Sequence, residues 1–124
     1  MVSRARRVVV IEDDEDIREL VVQLFADCGF DCVGFADGRA ALAALRHPGG
    51  APAVILLDLE MPGMTGWEFR REQLGDPLLA PIPVVVASGA DARSIEADAY
   101  LAKPYEMAEL CRVLASLCLR AAAA

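Results

Sequence analysis

Val54-Ile55-Leu56-Leu57-Asp58-Leu59-Glu60-Met61-Pro62-Gly63-Met64-Thr65-Gly66 is the stretch of sequence that decides the fold. Its first four residues form a continuous apolar run, which predicts a strand covered on both faces, as in a parallel sheet. The run ends in a carboxylate, Asp58, and a turn rich in Pro and Gly follows. Since ligands of open α/β sheets bind beyond the carboxyl ends of the strands, Asp58 is predicted to lie at a binding site.

A second apolar run, Val8 to Ile11, ends in the same way, in Glu12-Asp13-Asp14. Three further runs predict strands at Cys32 to Ala36, Val84 to Ala87 and Tyr100 to Lys103.

Helical patterns alternate with these strands. They cover Asp14 to Asp27, a segment capped by Asp37 and running through Leu45, Trp67 to Leu74, and Met107 to Leu119. Thr65 and Glu68 predict a capping box at the start of the third helix. In the first helix, one apolar stripe is predicted from Ile17, Leu20, Val21, Leu24 and Phe25.

Alternating strands and helices predict an α/β fold: a doubly wound, five-stranded parallel sheet of order 2-1-3-4-5, flanked by helices, in one domain spanning residues 1–124. Only eleven residues separate Ser88 from Tyr100. We therefore expect the helix between the fourth and fifth strands to be shortened or missing. Asp91 to Ala97 supplies at most one or two turns, and weak hydrogen-exchange protection is expected there.

Composition excludes several classes of protein. The formal net charge of −7 and the pI of about 4.6 argue against direct nucleic-acid binding. No apolar run approaches a membrane span or the core of a signal peptide, so a cytoplasmic protein without membrane insertion is predicted. The four cysteines have no histidine nearby, which argues against zinc and for small buried apolar side chains.

The predicted strand order brings acidic residues together. Glu12, Asp13 and Asp58 would meet in the crevice between the first and third strands, where Mg²⁺ relieves their repulsion. Ser88 and Lys103 end two further strands, and their hydroxyl and ammonium groups can hold phosphoryl oxygens. An aspartate in this setting is a credible nucleophile toward phosphorus.

Four motifs occur in order at these strand ends: Val9-Val10-Ile11-Glu12-Asp13-Asp14, Leu57 to Gly66, Val86-Ala87-Ser88-Gly89 and Tyr100-Leu101-Ala102-Lys103-Pro104-Tyr105. Together they closely resemble the receiver domain of bacterial two-component response regulators, over essentially the whole chain. The strand order 2-1-3-4-5 is itself exemplified by a member of this family.

The resemblance implies a role for each site residue. Asp58 would accept a phosphoryl group from a sensor histidine kinase or a histidine phosphotransfer protein. Mg²⁺ (or Mn²⁺) would be held by Asp13, Asp58, the backbone carbonyl of Glu60 and, through water, Glu12. Lys103 and Ser88 would bind the phosphoryl group, Ser88 and Tyr100 would form the switch, and the Lys103–Pro104 peptide would be cis. Phosphorylation would switch binding to a partner, either a downstream effector protein or a fused output domain.

Other interpretations stay open at this point. The acidic run after the first strand is also what a solvated helix start looks like, and Asp58 could cap a turn. A pseudo-receiver, an interaction module that is never phosphorylated, would have the same fold. A phosphatase-like hydrolase also uses an aspartate nucleophile and Mg²⁺, but 124 residues leave no room for the cap that encloses its substrate.

Overall fold

A computed structural model describes residues 7–47, 51–89 and 94–123 of the protein. In these ranges, five parallel strands form one sheet in the order β2-β1-β3-β4-β5, which confirms the predicted fold class. The strands are β1 (Arg7–Ile11), β2 (Asp31–Phe35), β3 (Val54–Asp58), β4 (Val84–Ser88) and β5 (Ala99–Ala102).

Within the described residues, four helices connect or follow the strands: α1 (Glu15–Asp27), α2 (Gly38–Leu45), α3 (Gly66–Leu74) and α4 (Met107–Ala123). Asp14 caps α1 and Asp37 caps α2, each through a side-chain oxygen that accepts a backbone N–H. The capping box predicted for α3 is present, with Thr65 and Glu68 bonded reciprocally.

The sheet separates two apolar cores. Alternate residues of β1 point to opposite faces, so Val8 and Val10 join one core while Val9 and Ile11 join the other. The first core packs against α1 and α4, and the second against α2 and α3. β3 and β4 are buried along their whole length, which explains why their sequences are apolar runs rather than alternating patterns.

The connection between β4 and β5 is short. Its described residues, 89 and 94–98, contain no α-helix, in agreement with the prediction of a shortened or missing helix there. Residues 90–93 lie outside the described residues, and with them the predicted cap Asp91. In the described part of the chain, we find no helix with the length and apolar character that a membrane crossing requires.

Some predicted details were wrong. β2 and β5 begin and end one residue earlier than predicted, so Lys103 follows β5 rather than ending it, and α4 extends to Ala123. Leu20 is 57% exposed, outside the buried stripe of α1, because the residues facing the sheet are Val21 and Phe25. Cys28 is exposed at the C-terminal cap of α1, unlike the buried apolar thiol that was expected.

Candidate functional site

The carboxylates at the ends of β1 and β3 meet. The two strands are paired with Ile11 opposite Leu57. Glu12 and Asp58, which follow these residues in the chain, therefore lie side by side. Carboxylate oxygens of Glu12, Asp13 and Asp58 all lie within 4.8 Å of one another. Glu12 and Asp58 are buried at 4% and 6% exposure, whereas Asp13 faces solvent.

Lys103 completes this cluster from the end of β5. Its backbone N–H donates to the carbonyl of Ser88 at 3.0 Å, which places the residue at the same edge of the sheet. Its Nζ donates to Glu12 Oε1 at 2.5 Å and lies 3.5 Å from Asp58 Oδ2. The peptide bond between Lys103 and Pro104 is cis. The ammonium therefore contacts both buried carboxylates, with the closer contact to Glu12.

Glu12 is held from several sides. Its Oε2 accepts the backbone N–H of Asp14 at 3.2 Å, and its own carbonyl accepts Nη1 of Arg18 at 2.8 Å. Together with the Lys103 contact, these bonds fix both the backbone and the carboxylate of Glu12. A buried carboxylate needs such partners, because an unpaired charge in the interior is costly.

The close approach of charged groups shifts the pKa values of Asp58 and Lys103. The pKa of Asp58 is raised from 3.8 to about 7, mainly by burial and next by the charge of Glu12, while Lys103 opposes both effects. For Lys103, burial lowers the pKa, but the hydrogen bond to Glu12 and the charges of Asp58 and Glu12 outweigh burial, so the pKa lies above its ordinary value. The cluster thus has an excess of negative charge that one lysine only partly balances.

The donor set suits a hard divalent cation. Mg²⁺ prefers carboxylate oxygens with ligand distances of about 2.0–2.1 Å, so two of its ligands lie about 3–4 Å apart. Oxygens that all lie within 4.8 Å of one another can reach this arrangement with small side-chain movements. A cation here would also relieve the repulsion that raises the pKa of Asp58.

The other predicted site residues are Ser88, Glu60 and Tyr100. Ser88 ends β4 and is 1% exposed. Glu60 is exposed, two residues after Asp58. Tyr100, in β5 opposite Val86, is half-buried, and its hydroxyl donates to the carbonyl of Ile95 at 2.7 Å. The structure therefore brings Glu12, Asp13, Asp58 and Lys103 together, while the Tyr100 hydroxyl is bonded within the β4–β5 connection.

Comparison with known proteins agrees with this geometry. A family model described as "Response regulator receiver domain" matches residues 8–115, most of the chain. The chain belongs to this family. Receiver domains are signalling switches, and they bind Mg²⁺ in an acidic pocket.

Three relatives illustrate the match of this receiver domain. A protein-glutamate methylesterase/protein-glutamine glutaminase 2 of Burkholderia thailandensis is 37% identical over 95% of the chain and 36% of its own length. The phosphate regulon transcriptional regulatory protein PhoB of Escherichia coli is 36% identical over 86% of the chain and 48% of its own length. The structure of Vibrio cholerae chemotaxis protein CheY4 superposes with a TM-score of 0.79 at 26% identity, covering 90% of this chain and 97% of that one.

The chain spans less than half of the length of these two curated relatives. The methylesterase match covers only about a third of that protein, and the family match within this chain is to the receiver domain. The methylesterase activity is therefore not carried over to this chain.

The sequence argument missed one residue beside the site and two buried polar residues in α3. Tyr105 lines a small cavity beneath Glu12 and Asp58. The pKa of Tyr105 is raised, mainly by burial. Lys103 lowers this pKa, and Glu12 and Asp58 raise it, so the charges of the site also act on Tyr105. Arg70 and Gln73 of α3 are buried polar residues. Their position in a helix with a weak apolar pattern was the available signal, because a polar residue on a core-facing position indicates an internal hydrogen bond.

The turn after Asp58 depends on two glycines. Gly63 has a φ of +76°, a conformation that L side chains rarely adopt. At Gly66, a Cβ would lie 2.5 Å from the carbonyl oxygen of Asp58 and 2.6 Å from Cα of Leu59. The first turn of α3 therefore packs directly on the backbone at the end of β3, and the absent side chain permits this contact.

We expect Gly66→Ala to destabilise the receiver domain by roughly 2–3 kcal/mol, because the methyl group overlaps backbone atoms that cannot rotate away. Denaturant-induced unfolding measures the change. Gly75→Ala is the matched control, since a Cβ there meets its nearest atom at an ordinary 3.5 Å and φ is −79°. That control is expected to be neutral or slightly stabilising. Equal losses in both variants would contradict the close contact at Gly66.

Proposed function

We propose that this chain is a phosphorylatable receiver in which Asp58 accepts a phosphoryl group from a phosphohistidine. One observation carries the proposal: the buried carboxylate of Asp58 lies 3.5 Å from the chain's single lysine and within 4.8 Å of two further carboxylates. This arrangement supplies a nucleophile, a cation for the phosphoryl oxygens and a divalent-metal site in one place.

The chemistry assigns a task to each residue. A carboxylate oxygen of Asp58 attacks phosphorus, the bond from phosphorus to the donor imidazole nitrogen breaks, and the imidazole takes up a proton. The attacking group must be ionised. Lys103 lowers the pKa of Asp58, which burial and Glu12 raise, and a bound cation would lower it further, so both favour the ionised form. Lys103 and Ser88 then bind the phosphoryl oxygens. The switch is assigned to Ser88 and Tyr100.

Asp13, Asp58 and the Glu60 carbonyl would hold Mg²⁺ or Mn²⁺, with Glu12 acting through water. When bound, the cation neutralises charge on the transferring phosphoryl group. The tight contact of Glu12 with Lys103 supports an indirect role for Glu12, because that carboxylate is already partly neutralised.

The proposed donor is a sensor histidine kinase or a histidine phosphotransfer protein. An apolar groove of about 360 Å³ adjoins the site, lined by Ile17, Lys103, Pro104, Tyr105 and Met107. A protein donor that buries this groove would bring its histidine beside Lys103. The proposed output is a change in affinity for an effector protein or a fused output domain, with no direct contact to nucleic acid and no insertion into a membrane.

Intact mass spectrometry tests the proposal. After incubation with acetyl phosphate and Mg²⁺, we expect a phosphoryl adduct that needs both Mg²⁺ and Asp58, and that is absent from Asp58→Ala. The adduct should be lost on mild alkaline treatment, as an acyl phosphate is. A folded, Mg²⁺-saturated sample that gives no adduct would indicate a pseudo-receiver, while steady hydrolysis of a phosphate monoester would indicate a hydrolase.

We also predict that Asp13→Asn weakens Mg²⁺ binding by about tenfold or more, because a ligand contributes at least as much as an outer-shell partner. Isothermal titration calorimetry measures the affinity. Asp16→Asn is the matched control: it removes the same charge from the exposed first turn of α1, outside the carboxylate cluster. Similar losses in the two variants would show that Asp13 acts only through the general negative field.

A further inference from the structure

The connection between β4 and β5 is attached to α3 by side chains that the site itself does not use. The indole Nε1 of Trp67 donates to Ser94 Oγ at 3.0 Å, and Nε of Arg70 donates to the carbonyl of Glu96 at 3.1 Å. Both donors belong to α3, and both acceptors belong to residues 94–97, called here the 94–97 segment. Two bonds thus connect this segment to the helix that follows Asp58.

The donor Arg70 is itself rigidly held. It is 9% exposed, and its Nη1 donates to Oε1 of Gln73 at 2.9 Å. Gln73, which is fully buried, donates in turn to the carbonyls of Leu79 and Ile82, both at 3.0 Å. Leu79 and Ile82 precede β4, and Glu96 follows it. This network therefore connects α3 to the chain on both sides of β4. A fully satisfied buried network of this kind specifies one arrangement.

The other side of the 94–97 segment contacts the sheet. Tyr100 accepts the backbone N–H of Ala97 at 3.0 Å and donates to Ile95. Trp67, Ile95, Ala97 and Tyr100 all pack against the same apolar core. The segment therefore lies between α3 and the side chain assigned to the switch.

The connection that follows Ser88 is short and is fixed at its far end. Eleven residues separate Ser88 from Tyr100. Its far end is fixed, because the N–H of Asp98 donates to the carbonyl of Val84 at 2.9 Å and Val84 donates back to Asp98 Oδ2 at 2.8 Å. Of the described residues between Ser88 and this fixed end, those of the 94–97 segment are held by side chains, so we expect a movement of Ser88 toward Asp58 to act on them.

We propose that Trp67 and Arg70 anchor the 94–97 segment to α3 in the unphosphorylated protein, and that binding of a phosphoryl group at Asp58 and Ser88 releases this anchor. The state of Asp58 is then read out at the surface between α3 and the 94–97 segment. This inference rests on the proposed function and adds to it the element that carries the signal. Arg70 is a positioning residue, since it acts through the segment and does not touch the reacting atoms.

Trp67 is the only tryptophan of the chain, so intrinsic fluorescence reports on the anchor directly. With Mg²⁺ and beryllofluoride as the phosphoryl analogue, we expect the Trp67 emission to shift to longer wavelength as its indole N–H turns from Ser94 to water. ¹⁹F NMR on the same sample measures beryllofluoride binding independently. Binding without a change in emission overturns this inference alone, whereas no binding overturns the proposed function and the inference together.

Variants test the coupling between anchor and site. Because the proposed anchor opposes the phosphorylated arrangement, we expect Arg70→Met to raise the beryllofluoride affinity about fivefold or more, the usual size of a coupling between two sites. Arg71→Met, which removes the same charge from the exposed side of α3, should leave the affinity unchanged. A merely structural Arg70 would lower stability in denaturant but leave the affinity of the folded protein as it was, and that result overturns the inference.

Ser94→Ala provides a milder variant, because Ser94 is exposed and its loss leaves no buried polar group unpaired. We expect its Trp67 emission to be shifted before beryllofluoride is added, and its affinity for the analogue to rise about twofold or more, as one hydrogen bond allows. An unchanged affinity in Ser94→Ala would overturn the inference even if Arg70→Met failed to fold.

Discussion

Replacing Lys103 by Met is expected to slow formation of the Asp58 adduct by on the order of 10²–10³-fold, the usual effect of removing one preorganised group that stabilises developing charge. Lys103 Nζ lies 3.5 Å from Asp58 Oδ2 and is the only lysine amine of the chain. Without it, a phosphoryl group at Asp58 would lose its protein-borne cation. The rate of adduct formation from acetyl phosphate at saturating Mg²⁺, followed by intact mass, measures the effect.

The same substitution should destabilise the metal-free protein. Lys103 is bonded directly to Glu12, and a buried carboxylate that loses its partner costs about 3 kcal/mol or more. Arg46→Met is the control, since Arg46 belongs to an ion pair with Asp76 near the surface and contributes little. If Lys103→Met lowered stability while the rate of adduct formation at saturating Mg²⁺ stayed normal, Lys103 would be a structural partner of Glu12 and not a phosphoryl-binding group.

The placement of the site could be predicted from sequence because it depends on topology. Two apolar runs that end in Glu12 and Asp58 must meet if their strands are neighbours, and the strand order makes them neighbours. The capping box of Thr65 and Glu68 was predictable for a similar reason, since it needs only local spacing. In both cases the backbone geometry alone determines which groups meet.

The contacts within the site could not be predicted in this way. The sequence predicts that Lys103 and the carboxylates share a pocket. It does not predict that Lys103 Nζ lies closer to Glu12, at 2.5 Å, than to Asp58, at 3.5 Å. Arg70 and Gln73 were missed because a helical pattern marks apolar residues as buried and polar residues as exposed. Leu20 is the opposite case: it continues the apolar spacing of α1, which predicts burial, but its side chain is exposed.

Asp58→Asn should stabilise the metal-free protein at about pH 8, although it removes the proposed acceptor. In the unfolded chain Asp58 titrates near 3.8, and in the folded protein burial and the Glu12 charge raise its pKa to about 7. The folded state therefore binds more protons than the unfolded state between these values, so stability falls as the pH rises from about 4 to about 7 and is then constant. Asparagine, which carries no charge, removes this loss.

The difference between 3.8 and about 7 corresponds to at most about 4 kcal/mol. Water that reaches the cluster at the exposed Asp13 reduces the expected gain to about 2 kcal/mol. Urea unfolding of both proteins with a chelator, across this pH range, measures it, and parallel curves would contradict the raised pKa of Asp58. Added Mg²⁺ should reverse the order of stability, because a cation stabilises the three carboxylates of the wild type more than the two that remain in the variant. The same excess charge that weakens the metal-free fold thus provides the affinity for the metal.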